Sequence, residues 1–289
     1  TGSLGVFVAA DLFTFYLTFA LLSLAAYGLV VFDGTPKARR AGIIYLVLAL
    51  LGEIFLLMGF VLLASAIPGD SLAIRDALAT FPTSPWRDPA LALLIAGFGL
   101  KMGLVPLHVW LPIAHPAAPM PASAVLSGAI IKAGVIGLIR FLPFDVPLPD
   151  WGVTLTGVGF LTAFYSVGVG ITQSNPKTVL AYSSVSQMGL IAVLLGMGLA
   201  AGQSPAVMAA TFYAAHHLLA KGALFLAVGV VAATSPRRLW WVLTPVAILA
   251  LGMGGLPLTG GALAKLAMKP VLGDGRVELL AILSAIGTT

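Results

Sequence analysis

An all-α, polytopic membrane helix bundle is the fold the sequence predicts, and three observations predict it. Only 9% of the 289 residues are charged and 60% are hydrophobic, with a mean hydropathy of +1.07. A water-soluble domain carries about 25% charged residues. Apolar runs close to the roughly 20 residues that a helix needs to cross a bilayer recur along the chain. No period-2 barrel alternation accompanies them, and only helices and closed barrels satisfy their backbone groups in lipid.

The runs follow in order. The first spans 11–31. The second, 41–66, carries Glu53 in its middle. The third, 89–106, holds Lys101 and runs into the Gly/Pro-rich stretch "GLVPLHVWLP". The stretch "HPAAPMPASA" then reads as an extended loop, with a helix starting near Ser123 and a fourth run at 122–142 around Lys132. Runs at 151–172 and 178–200 carry no lysine in their interiors. The run at 205–233 contains His216, His217 and Lys221. The run at 239–270 is interrupted by "GGLPLTGG" and contains Lys265. A last run begins near 277. These make eight spanning units and part of a ninth. The chain opens on "TGSLGVF" and stops on "AILSAIGTT", each beside or within an apolar run, which predicts a piece of a longer protein.

Loop charges suggest an orientation. Lys37, Arg39, Arg40, Lys177, Arg237 and Arg238 fall on one side in short loops, opposed only by Asp33. The basic residues of the other side are mixed with acidic ones. The first side is therefore expected to face the cytoplasm. The net charge of +5 comes from few charges, and no Lys/Arg run with interleaved aromatics tracks a phosphate backbone. Nucleic acid is not an expected partner, whereas lipid is.

Both Gly/Pro interruptions, expected near 104–112 and 255–261, fall at matched points, five helices apart. That spacing is the signature of inverted repeats, each with a discontinuous helix near a transport site. The halves are expected at 1–142 and 143–289, the first incomplete at its N-terminal side and the second at its C-terminal side.

Charges inside the runs carry the functional reading. A lysine at the bilayer centre costs about 2.5–3.5 kcal/mol on insertion scales. Lys101, Lys132 and Lys221 have apolar flanks on both sides, so they cannot all reach the interface. His217 and Lys221 stand four apart and share a helix face. A lone membrane lysine can be a structural partner, and Lys265, near a break, can reach the interface. Four lysines and a His–Lys pair over four helices are better explained by a hydrated interior track along which protons move. Glu53 is either a structural partner or a relay. His216 is expected to be satisfied by neighbouring backbone, and His108 and His115 to anchor the proline-rich loop.

Other chemistry has no visible residues. There is no cysteine, which removes disulfides, thiolate catalysis and Fe–S ligation from this chain. No Walker A, GxGxxG, HExxH or GxSxG motif is present, and the four histidines lack haem or zinc spacing. No cofactor is expected in this chain.

The stretch "KMGLVPLHVWLPIAHPAAPMPASAVLSGAIIKAGVIGLIRF" resembles the signature of the proton-conducting antiporter-like subunits of respiratory complex I. The same family includes the large subunits of Mrp-type cation/proton antiporters and membrane-bound hydrogenases. "NPKTVLAYSSVSQMG", "HHLLAKGALFLAVG" and "GLPLTGGALAK" are similar to three further family stretches, in the same order. The resemblance implies that Lys101 is the lysine of the first broken helix and Lys132 that of the next helix. It implies that His217 and Lys221 are the second half's pair, and Lys265 the charged residue of the second broken helix. It also implies partner membrane subunits, among them further antiporter-like ones, in a bacterial, archaeal or organellar inner membrane.

One position departs from the pattern. Where the family carries Trp-Glu, this chain has Phe19-Ala20. Asp11 lies nine residues away, about 14 Å along a helix, and cannot replace that glutamate directly. Glu53, one helix on, is the residue expected to compensate. The reading is a proton-translocating subunit of a complex I-type oxidoreductase, using Lys101, Lys132, His217, Lys221, Lys265 and Glu53. At an effective dielectric of about 20, charges 10 Å apart interact by roughly 1.7 kcal/mol, enough to couple neighbouring sites. The alternatives are a Na+/proton antiporter subunit without a redox partner, a non-conducting structural subunit, and a subunit of an inorganic-carbon uptake complex.

Overall fold

The computed structural model describes residues 2–67, 69, 71–203 and 205–272. Arg276, Glu278 and the apolar run expected near 277 lie outside the described residues. The described chain is a bundle of helices, without named strands. A short α1 (Gly2–Val8) precedes α2 (Leu12–Val31) and α3 (Pro36–Ala64). An extracted turn of helix, α4 (Ile74–Thr80), leads to α5 (Arg87–Met102) and α6 (Trp110–Ala117). Then come α7 (Met120–Val125), a π-helical turn (Leu126–Ile130) and α8 (Ile131–Phe141). The second part holds α9 (Pro149–Gly170), α10 (Pro176–Ala201), α11 (Pro205–Ala233), α12 (Leu239–Gly254) and α13 (Gly260–Leu272).

Six of the described helical segments are long and apolar enough to cross a membrane: α2, α3, the continuous run Met120–Phe141, α9, α10 and α11. The apolar runs 89–106 and 239–270 are not single helices. The first holds α5 and ends in residues 103–109, which separate α5 from α6; the second is divided by residues 255–259 between α12 and α13. Two expectations about the proline-rich stretch need correction. "HPAAPMPASA" is not an extended loop: His115 sits inside α6, and α7 already begins at Met120. Pro121 lies in the first turn of α7, where a missing backbone N–H costs nothing.

Starts and stops follow the side chains. Asp11 caps α2 through Thr14 N at 2.8 Å, and Thr35 caps α3 through Ala38 N at 3.1 Å, with Pro36 in its first turn. Asn175 caps α10. Apolar residues spaced along α2 and α3, such as Leu17, Leu21, Ile43, Val47, Ile54 and Val61, are exposed. This is how a helix meets lipid. Trp240 and Trp241 are exposed beside Arg237 and Arg238, the placement of an aromatic belt at a membrane–water boundary. Together these make the chain an integral, multi-pass membrane protein.

The core has two textures. In the first part, the rings of Phe15, Phe19, Phe60, Phe98 and Phe141 pack edge-on and stacked, with centroids 4.7–6.3 Å apart. In the second, α9 and α10 touch backbone to backbone. A Cβ on Gly159 would lie 2.7 Å from Gly189 O, and one on Gly189 would lie 2.7 Å from Ala163 N. Small residues at such crossings let membrane helices gain dispersion contacts that bulkier ones forbid.

Candidate functional site

Both helix ends at the interruptions are built alike. Gly103, at φ 80°, follows α5, and Leu104 N donates to Gly99 O at 2.8 Å. Gly255, at φ 96°, follows α12, and Leu256 N donates to Leu251 O at 3.0 Å. This is a Schellman ending, in which a left-handed residue closes the last turn, and glycine takes that conformation without a Cβ penalty. The first interruption is tied down on two sides. Trp110 Nε1 on α6 donates to Leu100 O on α5 at 2.9 Å, and Val105 N donates to Thr162 Oγ1 on α9 at 3.1 Å.

Each predicted lysine has a defined place. Lys101 is buried in the last turn of α5. Its ammonium donates to Ser23 Oγ at 2.8 Å and Tyr45 OH at 3.2 Å. Ser23 lies one turn beyond Ala20 on α2, so the hydroxyls of Ser23 and Tyr45 surround this lysine. Glu53 is also buried, on α3, where a Cβ on the neighbouring Gly52 would lie 3.5 Å from the Leu100 side chain of α5.

Lys132 is buried in the first turn of α8. Its ammonium donates to Ser127 O at 2.7 Å and contacts His217 Nδ1 at 2.5 Å. Ser127 belongs to the π-helical turn. Such a turn widens the helix locally and shifts its hydrogen-bond register, a change often found at functional sites. Ser127 Oγ also meets Ser184 Oγ at 2.7 Å, and Ser184 Oγ donates to Leu180 O at 3.0 Å. Lys221, fully buried on α11, donates to that same carbonyl at 3.1 Å. Lys132 and Lys221 are thereby joined through Ser127, Ser184 and the Leu180 carbonyl. His217 and Lys221 share a face of α11, but the hydrogen-bond partner of His217 is Lys132 across the bundle.

Lys265 is half-buried on α13, and its ammonium bonds Gly254 O at the second interruption. His216 packs against the start of α13, where a Cβ on Gly260 would lie 2.7 Å from its Nδ1. His108 lies in the first interruption, with Tyr165 at 5.1 Å between ring centroids. His115 is fully buried and stacked on Phe225 at 4.4 Å, a packed position and not a loop anchor. Arg140 lies off the lysine row. It donates to Val6 O at 2.8 Å and Ala9 O, holding the end of α1.

The structure therefore brings Lys132, His217 and Lys221 into one polar cluster, and sets Lys101 with Glu53 and Lys265 in places of their own. Sequence reasoning missed Ser23, Tyr45, Ser127 and Ser184. The signal for Ser184 was present in the polar run "AYSSVSQ" of α10, one of the most buried spans. Among the described residues no group of His, Asp and Glu is placed to hold a metal ion.

Comparison with known proteins places this geometry. The family described as NADH:quinone oxidoreductase/Mrp antiporter, TM, matches residues 9–288. The chain belongs to this family. It is similar to an uncharacterised protein of Mycobacterium tuberculosis, 37% identical over 88% of this chain and 42% of the relative. It is also similar to hydrogenase-4 component B of Escherichia coli, 32% identical over 78% of this chain and 35% of the relative. Among solved structures it resembles a chain of the membrane-bound sulfane sulfur reductase, an archaeal respiratory membrane complex. That match has a TM-score of 0.85 and 25% identity, over 99% of this chain and 62% of the other. The chain thus spans less than half the length of these two sequence relatives.

Proposed function

We propose that this antiporter-like chain translocates protons across a membrane, as a subunit of a complex I-type oxidoreductase. The contact between Lys132 Nζ and His217 Nδ1 carries the reading. A protonated lysine only donates, so Nδ1 must accept, which leaves the imidazole proton on Nε2. A proton taken at Nδ1 can then be matched by one released from Nε2. The hydroxyls of Ser127 and Ser184 extend the polar cluster to Lys221, in a bundle whose other interior surfaces are mostly apolar. Membrane ionisable groups arranged in this way mark proton relays. Lys101 with Glu53 would form the first station and Lys265 the last.

The matched Schellman endings at Gly103 and Gly255 support reading 1–142 and 143–289 as two inverted halves. The likeness to a chain of an archaeal respiratory membrane complex supports partner membrane subunits around it. Redox cofactors, in this reading, belong to those partners. The Na+/proton antiporter reading uses the same cluster and differs in the ion exchanged.

The test is ion flux in sealed vesicles holding the full-length protein with its co-purifying subunits. Internal pH and internal Na+ are recorded under an imposed membrane potential. Proton movement that needs no Na+ supports the proposal. Proton movement only against Na+ supports the antiporter reading. Absence of both leaves the structural-subunit reading, and co-purifying flavin and Fe–S proteins separate the oxidoreductase from the rest.

A further inference from the structure

The first interruption borders a cleft of about 330 Å³ that the row of lysines does not use. His108, Tyr165, Gln173, Thr178 and Tyr182 line it, together with apolar residues of α6. Gln173 and Thr178 stand at the turn from α9 to α10, beside Lys177, on the side expected to face the cytoplasm. Five polar side chains in one cleft are costly to leave dry, and its volume admits several waters at about 30 Å³ each. His108 is the most deeply buried of the five, at 5% exposure. Its Nδ1 is buried without a hydrogen-bond partner among the described residues. The titratable rings that meet it are Tyr165 of α9, at 5.1 Å between centroids, and Tyr182 of α10, at 6.3 Å. Its backbone packs on the end of α5, where a Cβ on Gly103 would lie 3.9 Å from His108 Cα.

A polar wall runs inward from this cleft. Tyr182 lines the cleft, Ser183 follows it on α10, and Ser184 next to that already belongs to the Lys132 and Lys221 cluster. The antiparallel register of α9 and α10 sets Gly159 beside Val193 and Ala163 beside Gly189, so Ser166 stands level with Ser186. A serine inside a helix commonly donates to the carbonyl one turn earlier, as Ser184 does. Ser166, Ser183 and Ser186 do not: each Oγ is buried without a hydrogen-bond partner among the described residues. Buried hydroxyls that no protein group satisfies are satisfied by ordered water. Such groups therefore recur from the cleft at His108 to the turn of α10 that carries Ser184.

We infer that this cleft is a water-filled entry for protons and that His108 is the side chain that takes them up. The inference rests on the reading of the chain as a proton translocator. In the step, an O–H bond of a hydronium ion in the cleft breaks and its proton forms an N–H bond on the neutral imidazole, leaving water and an imidazolium. Release of one ring proton to a water on the inner side restores the neutral ring. Histidine suits this task because each of its two nitrogens can carry or give up a proton. The serine hydroxyls of α9 and α10 hold the water that receives it.

The test uses the full-length protein with its co-purifying subunits in sealed vesicles. These 289 residues contain no cysteine, so a single one placed here reports cleanly once any cysteine beyond them is replaced. Thr178→Cys and Tyr182→Cys should react with a charged, membrane-impermeant methanethiosulfonate added on the Lys177 side, whereas Ile54→Cys, exposed in the middle of α3, should not. His108→Ala should lower proton flux about tenfold or more, and imidazole added to the medium should restore it, which a merely structural role of His108 does not allow. His108→Gln, which keeps a polar side chain of similar size, should also lose flux. Reaction of Tyr182→Cys with a lipid-soluble maleimide but not with the charged reagent would show a lipid-filled cleft and overturn the entry. Wild-type flux in His108→Ala, or a loss that imidazole does not restore, while Lys132→Ala stops flux, overturns the role of His108 and leaves the proposed function intact. Absence of flux in the wild type overturns both.

Discussion

Trp110 on α6 reaches back across the first interruption and donates its indole N–H to Leu100 O, in the last turn of α5, at 2.9 Å. The ring also packs against Tyr45, with centroids 5.2 Å apart. One side chain therefore holds two helix segments and the phenol beside Lys101 in register. Trp110→Phe keeps most of the packing and removes the donor, leaving a buried carbonyl without that bond. A loss of about 1–3 kcal/mol is expected, read as a lower unfolding temperature of the detergent-solubilised protein. An unfolding temperature equal to wild type would show that the backbone alone holds the break.

The crossing of α9 and α10 has no room for side chains at its centre. Gly189→Leu places a branched side chain where even a Cβ would lie 2.7 Å from Ala163 N. Overpacking of this kind costs about 1–3 kcal/mol, and here the neighbour is backbone that cannot rotate away. Reduced folded yield and a lower unfolding temperature are expected. Gly157→Leu, on α9 with open space around its Cβ position, should be tolerated.

Gly255 closes α12 at φ 96°, and a Cβ there would lie 2.6 Å from Lys265 Nζ. Gly255→Ala therefore strains the backbone by about 1–2 kcal/mol and displaces the lysine from Gly254 O. Lower proton flux and a lower unfolding temperature should appear together. A variant that keeps wild-type flux would detach Lys265 from the path.

Much of this architecture was legible in the sequence because a membrane forces it. Apolar runs near 11–31, 151–172, 178–200 and 205–233 became helices within a few residues of those limits. Lys132 and Lys221 could be singled out because a charge inside such a run is costly. What brings them together was not legible. The Ser127–Ser184 contact joins residues 57 apart in sequence, and the Lys132–His217 contact residues 85 apart. The break expected in 239–270 near 255–261 lies between α12 and α13, after Gly254 and before Gly260. The helix start at Met120 was missed because "HPAAPMP" reads as extended, whereas proline is tolerated in a helix's first turn.

Outside the membrane-spanning segments, Asp11 gives a pH-dependent test. Its carboxylate accepts from Thr14 N at the start of α2. That bond is the main reason its pKa lies below the ordinary aspartate value. A depressed pKa means the cap stabilises above the unfolded value of about 3.9 and is lost as pH falls through the lower folded value. Asp11→Ala should cost about 1 kcal/mol at neutral pH. The difference from wild type should shrink on acidification below about pH 4. A difference that stays constant down to pH 3 would assign the effect of the substitution to something other than the charged cap.

The central claim is that protons pass through the Lys132–His217 contact. Proton uptake into vesicles containing the full-length protein and its co-purifying subunits tests it most directly, comparing wild type with Lys132→Ala and Lys132→Arg. Arginine keeps the positive charge but does not release its proton in proteins. The account predicts that both variants assemble and that both lose proton uptake by at least about tenfold, which corresponds to roughly 1.4 kcal/mol at the limiting step. Wild-type uptake in Lys132→Arg would show that the charge alone matters at this position, and would contradict a path through Lys132.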